Sequence, residues 1–249
     1  MSIKVAVLGS KGRMGAEACK AVSEAKDLEL VAQIDVGDSL DLLLSSGAQV
    51  VVDFTHPDAV MKNLEFAINH EVSVVVGTTG FDEGKLSEIR GWLASHPKVG
   101  ALIAPNFGLG AVLMMQFAAK ASKYFDSVEI IELHHPNKAD APSGTATRTA
   151  EMITDARRSV NKEAMPDATT TSLDGARGAL VGEVPVHSVR LRGLVAHQEV
   201  ILGDLGETLT LRHDSIDRSG FMPGVLLGIR SVVTHPGLTF GLEHFMDLK

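Results

Sequence analysis

Two short runs of valine, Val50-Val51-Val52 and Val74-Val75-Val76, constrain this chain more than any other feature. Each is continuous rather than alternating, and β-branched throughout, so each reads as a strand buried on both faces. Such strands need helices above and below them, and the sequence supplies helices. Residues 3–8 read as a strand, and 13–25 as a helix with Met14, Ala18 and Val22 on one face. Residues 28–34 read as a strand, 49–54 as a strand, 57–69 as a helix with Pro57 in its first turn, and 72–76 as a strand. A helix over 82–94 and a strand over 99–104 complete the series. Strand and helix in strict alternation predict an α/β fold with a doubly wound, parallel, Rossmann-like sheet and right-handed crossovers.

Beyond residue 106 the texture changes. An apolar helix is expected over 109–123, a strand over 127–133 and a helix over 145–158. Residues 161–185 are rich in Gly, Thr and Asp without a sustained period, which predicts a long loop with short strands at most, and a candidate lid. From 186 to 212 Val189 and Leu191 alternate with Ser188, Arg190 and Arg192, and Leu209 and Leu211 alternate with Thr208, Thr210 and Arg212. That pattern predicts antiparallel strands forming an open sheet with one wet or partner-covered face, a surface of the kind that serves oligomers. A last helix over 218–233 carries Phe221, Val225, Leu226, Ile229 and Val233 at helical spacing, and its apolar stripe is expected to return to the N-terminal sheet. Two domains are therefore expected: a discontinuous one from 1–106 and 214–249, and an α+β one with an open mixed sheet from 107–213.

Charge narrows the function classes. The 249 residues carry a net charge of −8 and only 4% aromatics, which argues against nucleic acid as a partner. The N-terminus runs straight into a strand without the charged and apolar regions of a signal peptide, and no window has the length of a membrane span. One cysteine excludes an internal disulfide and suits a reducing compartment, so a cytoplasmic location is expected.

Between the first strand and the first helix lies Gly9-Ser10-Lys11-Gly12-Arg13-Met14-Gly15. Glycines at this spacing tighten the turn and let the backbone approach a pyrophosphate seated on the helix N-terminus. Asp35 ends the second strand about 20 residues further on, where an acid can hold a ribose diol. The plain alternative is a turn whose glycines only permit close helix–strand packing. Asp35 favours the free 2′-hydroxyl of NADH, whereas Lys11 and Arg13 can pair with the extra phosphate of NADPH, so both cofactors are expected. Two more loops follow strand C-termini at the ligand edge of such a sheet, Gly77-Thr78-Thr79-Gly80-Phe81 and Ala104-Pro105-Asn106-Phe107. Asp53-Phe54-Thr55-His56 borders the same edge.

The densest chemistry lies in Glu132-Leu133-His134-His135-Pro136-Asn137-Lys138-Ala139-Asp140-Ala141-Pro142-Ser143-Gly144-Thr145. It offers two imidazoles at a strand end, an ammonium, and Ser143 as the N-cap of a helix whose Gly144 and Thr145 N–H groups form an anion seat. None of the histidines has a metal-site spacing, so no metal is expected.

Taken in order, G-x-x-G-R-M-G, D-F-T, V-G-T-T-G-F, A-P-N-F and E-L-H-H-x-x-K-x-D-A-P-S-G-T-A resemble the dihydrodipicolinate reductase family, over nearly the whole chain. The resemblance implies NAD(P)H-dependent reduction of 4-hydroxy-tetrahydrodipicolinate, or its dehydrated form, on the diaminopimelate route to lysine. It also implies a cytoplasmic homotetramer that pairs a dinucleotide-binding domain with a substrate and oligomerisation domain. By the same resemblance His134 takes the proton donor/acceptor position and Lys138 that of proton donor, while His135, Ser143, Gly144 and Thr145 contact a small dicarboxylate. Cofactor contacts fall on Gly9, Ser10, Lys11, Gly12, Arg13, Met14, Asp35, Gly77, Thr78, Thr79, Ala104, Pro105, Asn106 and Phe107. The residues themselves leave Lys138 open as either an acid or an electrostatic anchor. Two rival readings are another two-domain nicotinamide-dependent oxidoreductase and a non-catalytic nucleotide sensor.

Overall fold

A computed structural model describes residues 2–78 and 80–248. The chain divides into two compact units, one running up to Leu109 and resuming at Arg218, the other spanning Gly110–Asp217. These divisions fall three and four residues beyond the expected ones at 106/107 and 213/214, the second because the last strand of that unit continues through Ser215.

In the first unit, strands β1 (Ile3–Leu8), β2 (Leu28–Ile34), β3 (Val50–Asp53), β4 (Ser73–Val76) and β5 (Gly100–Ile103) form a sheet with a late strand, β11 (Gly237–Phe240). Their order is β11-β5-β4-β3-β1-β2, and every pair is parallel. The valine runs lie where continuous apolarity requires, with β3 and β4 buried along their whole length. Helices α2 (Asp41–Ser45), α3 (Pro57–Asn69) and α4 (Glu83–Ser95) pack on the face that carries Ala6, Val51, Val74, Val76 and Ala101. On the face of Val75 and Leu102 lies α7 (Met222–Val232), beside α1 (Arg13–Glu24). Cys19 sits on the inner side of α1 at 7% exposure, where burial raises its thiol above its usual value. Two elements lacked a sequence signature. The single-turn α2 is too short to show a period, and β11 is a half-buried edge strand behind Gly237.

The sheet reverses its winding direction between β1 and β3, since β2 lies on one side of β1 and β3 on the other. At such a switch point the loops leaving adjacent strands diverge and open a crevice at the strand C-termini. The glycine loop leaves β1 there, and Phe54-Thr55-His56 leaves β3.

The second unit contains α5 (Leu109–Ala121), β6 (Ser127–His134), α6 (Gly144–Arg158), β7 (Ala179–Val181), β8 (Val184–Arg190), β9 (Ala196–Asp204) and β10 (Glu207–Ser215). Its sheet has the order β10-β9-β6-β8-β7. Antiparallel pairing holds for β10–β9, β9–β6 and β7–β8, but β8 runs parallel to β6, so the 186–212 stretch is not wholly antiparallel as its alternation suggested. Alternation fixes which residues face inward and says nothing about strand direction. The segment 161–185 carries β7 and the start of β8. Val128 and Ile130 of β6, Val186 of β8 and Val200 and Leu202 of β9 pack against Ala146, Ala150 and Ile153 of α6 and Met114 and Ala118 of α5. Fully buried Arg157 on α6 donates to the carbonyls of Ser122, Phe125, Asp126 and Glu163, tying the α5–β6 turn and the chain after α6 to one guanidinium. Among the described residues no helix is long and apolar enough to cross a membrane.

Candidate active site

In the first unit the glycine loop is built as a ligand cradle. Gly9 adopts φ +72°, and a Cβ there would lie 2.7 Å from the Phe54 carbonyl. A Cβ on Gly15 would collide with the carbonyl of Gly9, so the helix starts tight against the loop. Gly12 is the N-cap of α1 and brings no side-chain acceptor to its first N–H groups, so that end is open to an anion. Ser10 is buried, Lys11 and Arg13 are exposed, and Met14 is half-buried. Asp35 accepts the Lys11 N–H at 2.6 Å and the Val36 N–H at 2.8 Å, and these two bonds hold its carboxyl below the usual range. Its charge thus faces the loop that carries both cations. A cavity of about 470 Å³ opens beside this loop, lined by Gly9, Gly12, Ile34, Asp35, Phe54 and Lys62 among others. That size and its mixed apolar and polar walls fit part of a dinucleotide.

The other expected contacts lie at the C-terminal ends of β4 and β5, and most of them are inward. Gly77 is glycine because a Cβ would overlap the Phe54 ring, which meets Phe107 edge-on with centroids 5.8 Å apart. Phe107 and Ala104 are buried, Pro105 is exposed, and Asn106 accepts the Gly108 N–H at 2.7 Å. Thr78 is buried and donates its hydroxyl to Asp53. Thr79 lies outside the described residues. Asp53 is 1% exposed and also accepts from the Thr55 N–H, the Thr55 hydroxyl and the Asn63 amide, binding β3, the β4 loop and α3 together.

In the second unit His134, Lys138, Ser143, Gly144 and Thr145 gather around the end of β6 and the start of α6. What organises them is Glu132, to which the sequence alone assigns no role. It lies in the inward phase of β6 with Val128 and Ile130 and is fully buried. Its carboxylate takes His134 Nδ1 at 2.5 Å, the two Nη atoms of Arg190 at 2.8 and 2.7 Å, and the Ser143 N–H at 3.2 Å. Burial pushes this carboxyl upward, but the hydrogen bonds from Arg190, Ser188 and His134 outweigh it and hold the group below its ordinary value. His134 is pushed down, chiefly by burial, with the Lys138 and Arg190 cations adding to that effect and Glu132 opposing it. Among the described residues, Nδ1 is the only ring nitrogen of His134 that is engaged.

Lys138 pairs with Asp140 at 2.6 Å, and that bond, with help from the Gly144 N–H, keeps the Asp140 carboxyl low. Arg190 also donates to the Asp140 carbonyl at 2.7 Å. Ser143 is 3% exposed, and its hydroxyl accepts the Ala146 N–H at 3.2 Å, so the side chain caps α6. Gly144 is exposed, with open space where a Cβ would stand, and Thr145 is half-buried beside it. His135 is exposed beyond the strand end, and its carbonyl accepts the Lys138 N–H at 3.2 Å. Arg190 was out of reach of sequence reasoning, because only the parallel register of β8 on β6 sets it opposite His134. Glu132 did carry a signal, an acid in phase with Val128 and Ile130. Ile131 and Leu133 make the opposite phase equally apolar and hide it.

In comparison with known proteins, two family models together span the chain and meet at the first division between the units, the second model running on past Asp217 into the returning part of the first unit. A family model described as "Dihydrodipicolinate reductase, N-terminus" matches residues 3–107, and one described as "Dihydrodipicolinate reductase, C-terminus" matches 110–246. A 4-hydroxy-tetrahydrodipicolinate reductase of Streptomyces avermitilis is 62% identical over 99% of both chains. One of Nocardia farcinica is 62% identical over 100% of both. A dipicolinate-bound dihydrodipicolinate reductase from Paenisporosarcina sp. TG-14 superposes with a TM-score of 0.88 at 40% identity, covering 98% of this chain and 99% of its own.

Proposed function

The chain belongs to the dihydrodipicolinate reductase family, and from that premise we propose how its residues carry out the reduction of 4-hydroxy-tetrahydrodipicolinate to tetrahydrodipicolinate in lysine biosynthesis. Per turnover one hydride and one proton enter the ring and one water leaves. When bound, the reduced nicotinamide supplies the hydride. The first unit is the dinucleotide-binding domain. Gly9 to Met14 seat the pyrophosphate on α1, and Asp35 holds the adenosine ribose. The loops after β4 and β5, from Gly77 and from Ala104 to Phe107, wall the nicotinamide end. Lys11 meets Asp35 and Arg13 is exposed on the same loop, and this mixture of charges supports use of both NADH and NADPH.

The second unit takes the dicarboxylate and carries the oligomer contacts, giving a cytoplasmic homotetramer. Gly144 and Thr145 on α6 seat one carboxylate, with His135 at its edge and Ser143 building the seat from beneath. Lys138 supplies charge and a proton, and His134 hydrogen-bonds the reacting ring. The observation that carries this reading is His134 Nδ1 locked to a buried carboxylate at 2.5 Å, next to an ammonium and a helix N-terminus.

The test is oxidation of NADH and of NADPH, followed as loss of nicotinamide absorbance, with freshly made product of the preceding synthase as substrate. Turnover is expected with both, with kcat/KM values within about a thousandfold of each other, a gap of about 4 kcal/mol. Saturable nucleotide binding without turnover would favour a sensor instead.

A further inference from the structure

We propose that Glu132 and Arg190 are a positioning pair for His134: the carboxylate fixes the imidazole with its proton on Nδ1 and its lone pair on Nε2, and the guanidinium balances the carboxylate so that the ring rests neutral. The proposal deepens the reading of His134 as the residue that meets the substrate ring, and rests on it.

The geometry carries the argument. A carboxylate only accepts, so the ring nitrogen facing Glu132 is the protonated one. Left alone in a buried site, that carboxylate would draw a second proton onto the ring, since an imidazolium is its natural counter-ion. Arg190 forestalls this by sitting opposite His134 in the strand register and meeting both oxygens of Glu132 with its two Nη atoms. The charged groups around the ring are Glu132 on β6, Arg190 on β8, and Lys138 with its partner Asp140 on the following loop. Both cations oppose a second proton, and so does the burial of the ring.

The same pair also fixes the seat. Glu132 accepts the Ser143 N–H at the start of α6, and Arg190 donates to the Asp140 carbonyl, so both ends of the loop 140–143 are tied to it. Histidine orientation and carboxylate seat are therefore set by one buried charge pair. A division of labour follows. A neutral ring whose free nitrogen is a lone pair has no proton to give, so the proton comes from Lys138: its Nζ–H bond breaks as the new C–H bond forms, the N–H electrons stay on Nζ, and solvent restores the proton.

Nitrogen-15 NMR of histidine-labelled full-length protein, with His134 assigned by its loss in His134→Ala, tests this without any variant of the pair. At neutral pH the wild type is expected to show Nδ1 protonated and Nε2 bare; a proton on Nε2, on both nitrogens, or exchange between the two tautomers overturns the proposal. In Arg190→Met the affinity of the ring for a second proton is expected to rise about tenfold or more, and Arg190→Lys should bring it part of the way back. A ring that titrates identically in Arg190→Met and wild type overturns the balancing role. Glu132→Gln turns an amide donor toward Nδ1 and should lower kcat by about 10²-fold or more while cofactor KM holds; unchanged kcat overturns the positioning role. The ring readouts hold whether or not His134 serves the reduction, which the turnover of His134→Ala tests separately.

Discussion

The Thr78 hydroxyl reaches across 3.0 Å to the Asp53 carboxylate, joining the loop after β4 to the end of β3 beneath the ligand edge of the first unit. Thr55 and Asn63 fill the rest of that buried carboxylate. Asp53→Ala takes the acceptor from four donors at once, and a buried donor without a partner costs about 1–3 kcal/mol. Loss of at least about 2 kcal/mol in urea unfolding is expected, with a raised KM for the dinucleotide as the Thr78 loop loosens. Unchanged stability would mean that water replaces the carboxylate without loss.

His134→Ala removes the ring that the site is built to orient. Turnover should fall by about 10²–10⁴-fold as the reacting ring loses the hydrogen-bond partner that orients it, with dinucleotide affinity unchanged because the glycine loop belongs to the other unit. Wild-type kcat in this variant would make His134 a structural residue.

Gly144→Ala separates the seat from the fold. A Cβ there meets nothing within 4 Å, and alanine suits a helix better than glycine by about 0.5–1 kcal/mol, so stability should hold or rise. The methyl group nevertheless stands where the carboxylate is proposed to sit. Calorimetry should show weaker dipicolinate binding in a protein that unfolds no earlier; undiminished binding would move the seat elsewhere.

Acid should destabilise the second unit well before its carboxylates protonate. His134 and His213 are both pushed below their ordinary 6.5, chiefly by burial, so as pH falls past that value the unfolded chain takes protons that the folded chain refuses. Stability therefore drops from about pH 6.5 downward. Asp214 and Glu132 act in the same direction lower down, since carboxyls held low when folded lose their contribution as pH falls toward the folded value. The urea midpoint should decline between about pH 8 and about pH 5, and less steeply in His213→Gln. A midpoint that rises toward acid would contradict the burial of both rings.

Much of this was legible because period and position carry it. The valine runs announced a sheet covered on both faces, and the glycine loop lies between β1 and α1 as its spacing required. The active-site stretch could be located but not wired. Lys138 and Asp140 are two residues apart and could be paired by eye, whereas Arg190 reaches Glu132 across 58 positions through a strand register that no local pattern encodes. Some residues expected to touch ligand also carry packing or capping of their own. Gly77 makes room for the Phe54–Phe107 pair, and Ser143 spends its hydroxyl on its own helix. Residue type reveals a capacity for contact, and only packing decides where that capacity is used.

Cys19 gives the first unit a built-in clock. It is the only thiol in the chain, it lies on the inner face of α1, and burial keeps it in the unreactive protonated form. A thiol reagent can therefore modify the protein only in the moments when α1 lifts from the sheet, and the labelling rate then counts those openings directly. Measured with and without NADPH, that rate would report how firmly the nucleotide clamps the glycine loop and its helix, with no engineered probe and no signal from the second unit.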